Sequence, residues 1–197
     1  MISTKKLTKL SLSLYSSFFP GFYLLELTLK NKLFHLLKEE ISKDWFTEQL
    51  KTENEDSLFS AEREMILRRK PKNFTLTDNG LLLESGFGFW VEFFNNRVYK
   101  LSKGRPIKIF TQLPKGIKRK DIYERLTTLK EFRNRLYHSR IPLITEKAQA
   151  KCISEAQENY EVLLELLHWL DSPNRDLIDL SHFVKQVNQI KSLLKLR

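Results

Sequence analysis

Cysteine and histidine are scarce in this sequence of 197 residues, which contains one cysteine, Cys152, and four histidines. A single cysteine excludes an intramolecular disulfide and is typical of a reducing compartment, so we expect a cytoplasmic protein. The histidines are His35, His138, His168 and His182, and they lack the spacing of a metal site. Zinc chemistry is therefore disfavoured, and no cofactor is expected.

Long apolar runs are also missing, because no stretch of the sequence is long enough to cross a bilayer. The stretch from Leu10 to Leu25 follows three lysines and superficially resembles a signal peptide. Its serines, the break at Pro20-Gly21 and the lack of a small-residue cleavage site favour a buried first-helix region instead. We expect no membrane partner.

Acidic residues are absent from the segment 97–120, which carries almost the entire net charge of +10. Its basic residues are Arg97, Lys100, Lys103, Arg105, Lys108, Lys115, Lys118, Arg119 and Lys120. Glycines and prolines within it predict a looped connection, with a short extended piece from Ile107 to Phe110. Such a basic loop supplies salt-sensitive affinity for nucleic acid. The alternative is a solvated loop that keeps the protein soluble.

The remaining pattern is helical, and a hydrophobic content of 41% with 14 Phe suffices for a sizeable core. Helices are predicted from Phe22 to about Ser42, from Ala61 to Arg69, from Thr77 or Asp78 through Phe94, from Glu146 to Leu170 with Thr145 as cap, and from Leu177 to Leu194. The predicted fold class is all-α. We predict one domain over 1–171, including the basic loop 97–120, and a C-terminal helical extension over 172–197.

A further helix is predicted to carry the hexapeptide from Arg133 to His138. It begins near Asp121, which together with Glu124 resembles a capping box. Its apolar residues recur at helical spacing, at Ile122, Leu126, Leu129, Phe132 and Leu136. At about 100° per residue, Arg133 falls near the middle of this stripe, so we expect it to be at least partly buried.

Arg133 in that position needs a carboxylate, a hydrogen-bonded network or a bound phosphate, because burying an unpaired guanidinium is costly. Glu26 is a candidate partner, since it flanks the apolar stripe of its own helix; an ordinary boundary carboxylate is the alternative. Asn134 and His138 share the adjoining polar side, at i and i+4. An arginine that holds phosphate beside a histidine that moves a proton is a minimal RNA-cleaving pair. The alternative is a structural arginine beside a surface histidine.

Three sequence blocks, in order, resemble the Abi-like (abortive infection) proteins of bacteria, a branch of the HEPN ribonuclease superfamily. The blocks run from Leu25 to Asn31, from Gly86 to Phe94 and from Leu129 to His138. Two departures stand beside them: Ser139 follows the motif histidine where such proteins often continue with a His-Glu-Pro stretch, and Lys30 stands where arginine is more usual.

The resemblance implies an HEPN-like antiparallel helical bundle that acts as a homodimer and cleaves RNA without a metal. The implied catalytic residues are Arg133 as phosphate clamp, His138 as general acid or base, and Asn134 as an orienting group. Supporting residues are Glu26, Asn31 and Tyr137, of which Tyr137 is expected to pack in the core, with stacking or hydrogen bonding as the alternatives. The expected RNA contacts are Lys115, Lys118, Arg119, Lys120, Arg135 and Arg140.

The implied function is that of a phage-defence or toxin endoribonuclease, with an antitoxin or a phage-derived trigger as a further partner. The alternative is a catalytically inert HEPN-fold module that binds RNA, senses a signal or docks a partner. Only the nuclease requires His138.

Overall fold

The computed structural model describes residues 4–52, 57–138, 149–173 and 175–194 of the chain. Every regular element in these ranges is helical, so the fold class is all-α. The α-helices are α1 (Thr4–Ser16), α2 (Phe19–Glu40), α3 (Trp45–Lys51), α4 (Leu58–Leu67), α5 (Asp78–Glu84), α6 (Phe87–Val91), α7 (Asn96–Leu101), α8 (Arg119–Tyr137), α9 (Gln149–Trp169) and α10 (Leu180–Leu194). Short 3-10 helices cover Glu92–Phe94, Pro106–Ile109 and Arg175–Leu177. None of the helices in the described ranges combines the length and apolar character that crossing a bilayer requires.

Packing divides the chain into two compact units. The first unit comprises residues 1–25 and 128–197, and the second comprises residues 26–127. The divisions therefore fall within α2 and within α8. The C-terminal helix α10 belongs to the first unit, where it packs along α1.

Aromatic side chains form the centre of the first unit. Phe18, in the turn between α1 and α2, is fully buried, and its ring centroid lies 5.0 Å from that of Phe132 and 5.1 Å from that of Tyr160. The Tyr160 ring stacks on Phe183 of α10 at 3.8 Å between centroids. Aromatic pairs at such distances add to the stabilisation from burial alone. This cluster fixes the C-terminal half of α8 against α9 and α10.

The second unit has a separate aromatic core. Phe46 of α3 is fully buried, with its ring centroid 5.9 Å from that of Trp90 and 4.8 Å from that of Phe34. Trp90 in turn stacks on Phe93 at 5.5 Å. At the edge of this core, Lys38 of α2 forms an ion pair with Asp78 of α5.

The predicted helix from Thr77 through Phe94 begins correctly but is not continuous. The Thr77 hydroxyl accepts a hydrogen bond from the Gly80 N–H at 3.1 Å and caps the helix at its predicted start. However, α5 ends at Glu84, and Ser85 and Gly86 are extended before α6 begins. The reason lies in the aromatic block that follows.

That block is buried at most of its positions, namely Phe87, Phe89, Trp90, Val91, Phe93 and Phe94. One straight helix buries only a stripe of its surface, so part of this set would face solvent. The helix is interrupted before Phe87, and it continues from Glu92 as a tighter 3-10 helix. These two changes allow all of these side chains to point inward.

The segment 97–120 is more ordered than an open loop. Residues 97–101 belong to α7, and the prediction of an extended piece from Ile107 to Phe110 is wrong, because a 3-10 helix occupies Pro106–Ile109. Pro106 stands at the first position of that helix, where its missing N–H leaves no hydrogen bond unmade. Gly104 precedes it with a φ of 70°, a conformation that favours glycine.

The helix α8 begins two residues before the start predicted near Asp121. The helix begins at Arg119, and Asp121 lies within its first turn, where its carboxylate accepts the Lys118 N–H at 2.7 Å. Asp121 thus fills the inner position of a capping box and does not precede the helix.

The structure contains both of the last two predicted helices, but their bounds differ from the prediction. The predicted start of α9 at Thr145 and Glu146 lies outside the described residues, and α9 ends at Trp169, one residue before the predicted end. The predicted start of the last helix at Leu177 falls in a 3-10 helix, and α10 begins at Leu180. Its cap is Asp179, whose carboxylate accepts the His182 N–H at 2.9 Å.

Candidate active site

The apolar stripe of α8 holds the motif residues in place. Ile122, Leu126, Leu129 and Phe132 are buried as predicted, and Leu136 is half-buried. Arg133, beside Phe132, is half-buried, which confirms the expectation from its place on the helix. The arginine is therefore fixed by the packing of the helix that carries it.

Tyr137 does not pack in the core, contrary to the first expectation for it. Its side chain is 48% exposed, one turn beyond Arg133, and the guanidinium carbon of Arg133 lies 4.7 Å from its ring centroid. This is a cation–π contact, which takes the stacking role that the sequence left as an alternative. Tyr137 is the last residue of α8, one turn beyond Arg133 on the same side of the helix.

His138 is the first residue after α8. Its N–H donates to the Asn134 carbonyl at 3.0 Å, which is the last hydrogen bond of the helical ladder, so the two residues stack at i and i+4 as predicted. Both side chains are exposed. In the described part of the chain, no side chain is hydrogen-bonded to the His138 imidazole.

Arg135 is tied to the neighbouring helix. Its guanidinium forms an ion pair with the Glu155 carboxylate of α9 and lies 5.7 Å from the Phe132 ring centroid. The ion pair reduces the positive charge that Arg135 offers to a phosphate. Arg140, which is also expected to contact RNA, lies outside the described residues.

Exposed aromatic side chains adjoin the motif in the first unit. The ring of Phe19, which is 58% exposed, meets the edge of the Tyr137 ring at 6.3 Å between centroids. Tyr23, one turn further along α2, is 61% exposed. A cavity of about 320 Å³ is lined by Phe19 and Tyr137 together with Leu12 and Leu136. Exposed apolar groups that adjoin one another are a candidate binding surface.

Two of the predicted supporting residues belong to the second unit. Glu26 of α2 is half-buried and makes at least one interaction. Asn31 is half-buried, and its amide donates to the Leu27 carbonyl at 2.8 Å, one turn earlier in the same helix.

The basic segment of the second unit separates into exposed and internally bound cations. Lys115, Lys118 and Lys120 are exposed, although the Lys120 ammonium lies 3.5 Å from Glu124. Arg119 is half-buried and donates to the Phe94 carbonyl at 2.5 Å, with its guanidinium 5.7 Å from the Tyr99 ring centroid. Arg119 is thus a packing residue of this unit.

Two more cations of the segment converge on one carboxylate. Lys108 lies 2.8 Å and Arg105 lies 3.3 Å from the Glu40 carboxylate at the end of α2. Glu40 lies far away in the sequence, so no local pattern could have indicated this neutralisation. The surface that can meet a polyanion is therefore less positive than the segment's formal charge.

Cys152 offers no second nucleophile near the motif. It is buried in α9, and burial together with the nearby Glu155 raises the pKa of its thiol. A protonated thiol is a poor nucleophile and a poor metal ligand. Within the ranges that the structure describes, His, Cys, Asp and Glu side chains do not gather into a group that could hold a metal ion.

Sequence reasoning missed Phe19 and Glu155. Phe19 carries no periodic signal, because it is the first residue of α2 and is exposed. Glu155 is one of several glutamates along α9, and only the packing of α9 on α8 selects it as the partner of Arg135.

Comparisons with protein-family models, with curated proteins and with solved structures gave no match. The fold and the geometry of the motif therefore carry the functional argument, beside the three sequence blocks.

Proposed function

We propose that this chain is a metal-independent endoribonuclease of the HEPN type, with an antiparallel HEPN-like bundle, acting in phage defence by abortive infection or as a toxin. The observation that carries the proposal is the end of α8. Packing and the Tyr137 ring hold the Arg133 guanidinium in place, while the turn that follows presents the His138 imidazole to solvent.

RNA supplies its own nucleophile, so histidine and arginine side chains can carry the chemistry without a metal-bound water. His138 accepts the proton of a ribose 2′-hydroxyl, or in its protonated form gives one to the leaving 5′-oxygen. The 2′-oxygen bonds to phosphorus as the bond from phosphorus to the 5′-oxygen breaks. Arg133 stabilises the charge that develops on the phosphate oxygens. The products are a 2′,3′-cyclic phosphate and a 5′-hydroxyl.

A second copy of the chain completes the site in this proposal. The exposed rings of Phe19, Tyr23 and Tyr137 form an apolar surface beside the motif, which supports its burial by a second subunit. Pairing two motifs supplies one histidine to take a proton and another to give one. An antitoxin or a phage-derived trigger then controls the assembled site.

The test asks whether the ribose 2′-hydroxyl of the RNA is the nucleophile. Single-stranded RNA is incubated with the purified chain in EDTA, and the new ends are analysed. We expect 2′,3′-cyclic phosphate and 5′-hydroxyl ends, and no cleavage of a strand that carries a 2′-deoxyribose at the cut position. Cleavage of the deoxy-substituted strand, or no cleavage of any RNA by the dimer, contradicts the proposal.

The second candidate is a catalytically inert HEPN-fold module that binds RNA, senses a signal or docks a partner. The solvent-open His138 imidazole favours it, because catalytic histidines are generally oriented by a second group. RNA that binds with a steep salt dependence but remains intact would identify this module.

A further inference from the structure

A wide groove lies between α1 and α10 in the first unit. It has a volume of about 1090 Å³, and its apolar lining comes from Leu10, Leu180, Val184 and Leu193. This surface lies outside the motif region and is not used by the proposed function.

The lining exists because α10 carries two apolar rows. Phe183, Val187 and Ile190 are buried and join α10 to the core of its unit. Leu180 and Val184 lie one turn apart on a second row, and they are 48% and 45% exposed. A helix that only covers a core carries polar residues away from it. A second apolar row facing a groove is typical of a surface that receives a partner.

The charge of the two helices indicates what kind of partner fits. Neither α1 nor α10 contains an acidic residue, and their lysines are Lys5, Lys6, Lys9, Lys185 and Lys191. Lys6 and Lys185 lie on the groove itself. The carboxylate nearest to α10 in the sequence belongs to Asp179. It already accepts hydrogen bonds from the Ser181 hydroxyl and the His182 N–H at the start of that helix.

We propose that this groove binds an amphipathic helix of a partner protein, with apolar residues on one face and acidic residues beside them. A helix laid into a groove buries residues at i, i+3, i+4 and i+7, which matches a concave apolar lining between two helices. Glutamates and aspartates flanking that face meet the lysines on both walls, and such charges set specificity and the association rate.

Other occupants fit the same surface less well. A membrane takes up a protruding apolar face, whereas this lining is concave. Nucleic acid has phosphates for the lysines but no aliphatic side chains for Val184 and Leu180. A second copy offers the acidic helix α9, but the apolar residues of α9, such as Leu163 and Leu166, are buried in its own unit.

The probe is a displayed set of helical peptides that share one leucine face and differ at the flanking positions, where Glu, Lys or Gln is allowed. Selection on the full-length chain is expected to enrich glutamate at those positions. Binding of the selected peptide, measured by fluorescence anisotropy, weakens with added salt. Val184→Asp weakens binding by at least about tenfold, because it places a charge at the apolar centre of the groove.

Leu177→Asp is the matched control, since Leu177 is 70% exposed in the same unit but does not line the groove. It leaves peptide binding unchanged, and both variants keep the circular dichroism spectrum of the parent. Enrichment of basic or uncharged peptides, failure to select any peptide on the folded chain, or equal binding by the Val184→Asp variant overturns the proposal.

Two further measurements exclude the rival occupants. Light scattering reports whether Val184→Asp turns a dimer into a monomer, and sedimentation with vesicles of phosphatidylglycerol and phosphatidylcholine reports binding to an anionic membrane. We expect neither property to depend on Val184. A loss of self-association or of vesicle binding in this variant assigns the groove to that occupant and overturns the proposal.

Discussion

The guanidinium of Arg133 lies 4.7 Å from the ring centroid of Tyr137, one turn further along α8. This contact joins a half-buried arginine to an exposed ring at the helix end. It explains how a charged side chain next to an apolar stripe is held in one place while it remains able to reach a ligand.

Replacing Tyr137 tests whether that contact positions the arginine. Tyr137→Leu removes the ring and is expected to lower the RNA cleavage rate roughly twofold to fivefold. This factor corresponds to the free energy of an exposed cation–π contact. Tyr137→Phe keeps the ring and serves as the control, so its rate stays near that of the parent. Equal losses in the two variants, measured in single-turnover assays, would assign the role to the hydroxyl instead.

The ion pair between Arg135 and Glu155 makes a separate prediction about RNA affinity. Glu155→Gln releases Arg135, so RNA binding tightens and its dependence on salt steepens by up to about one unit of log K against log salt. The free energy of unfolding falls by no more than about 1 kcal/mol, because the pair is partly exposed.

Glu161→Gln is the control for this change, since it removes one negative charge from an exposed position of the same helix. A salt slope that steepens equally in both variants would mean that only the net charge matters.

Much of the fold could be predicted because its signals are local. The apolar stripe from Ile122 to Phe132, the start of a helix at Thr77 or Asp78 and the separation of the last two helices each depend on residues within a short stretch of sequence. Each was recognisable from spacing and residue type alone. The partial burial of Arg133 followed from the same spacing.

The remaining features depend on contacts between distant residues. The break at Ser85 follows from the need to bury nearly every side chain of the block that ends at Phe94, which no helical window reveals. The neutralisation of Arg105 and Lys108 depends on Glu40, more than sixty positions earlier. Counting charges along the segment 97–120 therefore overstated the surface that RNA could meet.

The contact between Lys38 and Asp78 predicts an acid-sensitive contribution to the stability of the second unit. The hydrogen bond from Lys38 holds the pKa of Asp78 below its ordinary value of about 3.9. A lowered carboxyl pKa stabilises the folded state above the unfolded pKa, and this contribution is lost as the pH falls through the folded pKa.

Asp78→Asn should therefore lower the free energy of unfolding by up to about 1 kcal/mol near neutral pH. The difference from the parent should shrink toward zero in acid. Urea unfolding followed by tryptophan fluorescence across the acidic range measures it. A difference that stays constant with pH would show that Asp78 acts through the hydrogen bond it accepts from the Asn79 N–H and not through its charge.

For Glu62 we expect the opposite effect of the carboxyl charge on stability. Burial raises the pKa of this α4 carboxyl, so the ionised form is disfavoured in the folded state at neutral pH. Glu62→Gln should raise the melting temperature near neutral pH. The gain should shrink as the pH falls through the raised folded pKa and vanish below the unfolded pKa, where the parent carboxyl is protonated in both states.

The exposed Glu64 of the same helix, paired with Arg68 at 3.1 Å, provides the control. Glu64→Gln should leave the melting temperature unchanged or slightly lower. A loss of stability in the Glu62→Gln variant would mean that the charge on Glu62 is needed.

The decisive experiment measures RNA cleavage by the His138→Ala variant in EDTA. We expect cleavage to be abolished, while RNA affinity and the circular dichroism spectrum stay close to those of the parent. His35→Ala, at another exposed histidine, should cleave at the parental rate. Full activity in the His138→Ala variant would contradict the assignment of this chain as a nuclease that uses the motif at the end of α8.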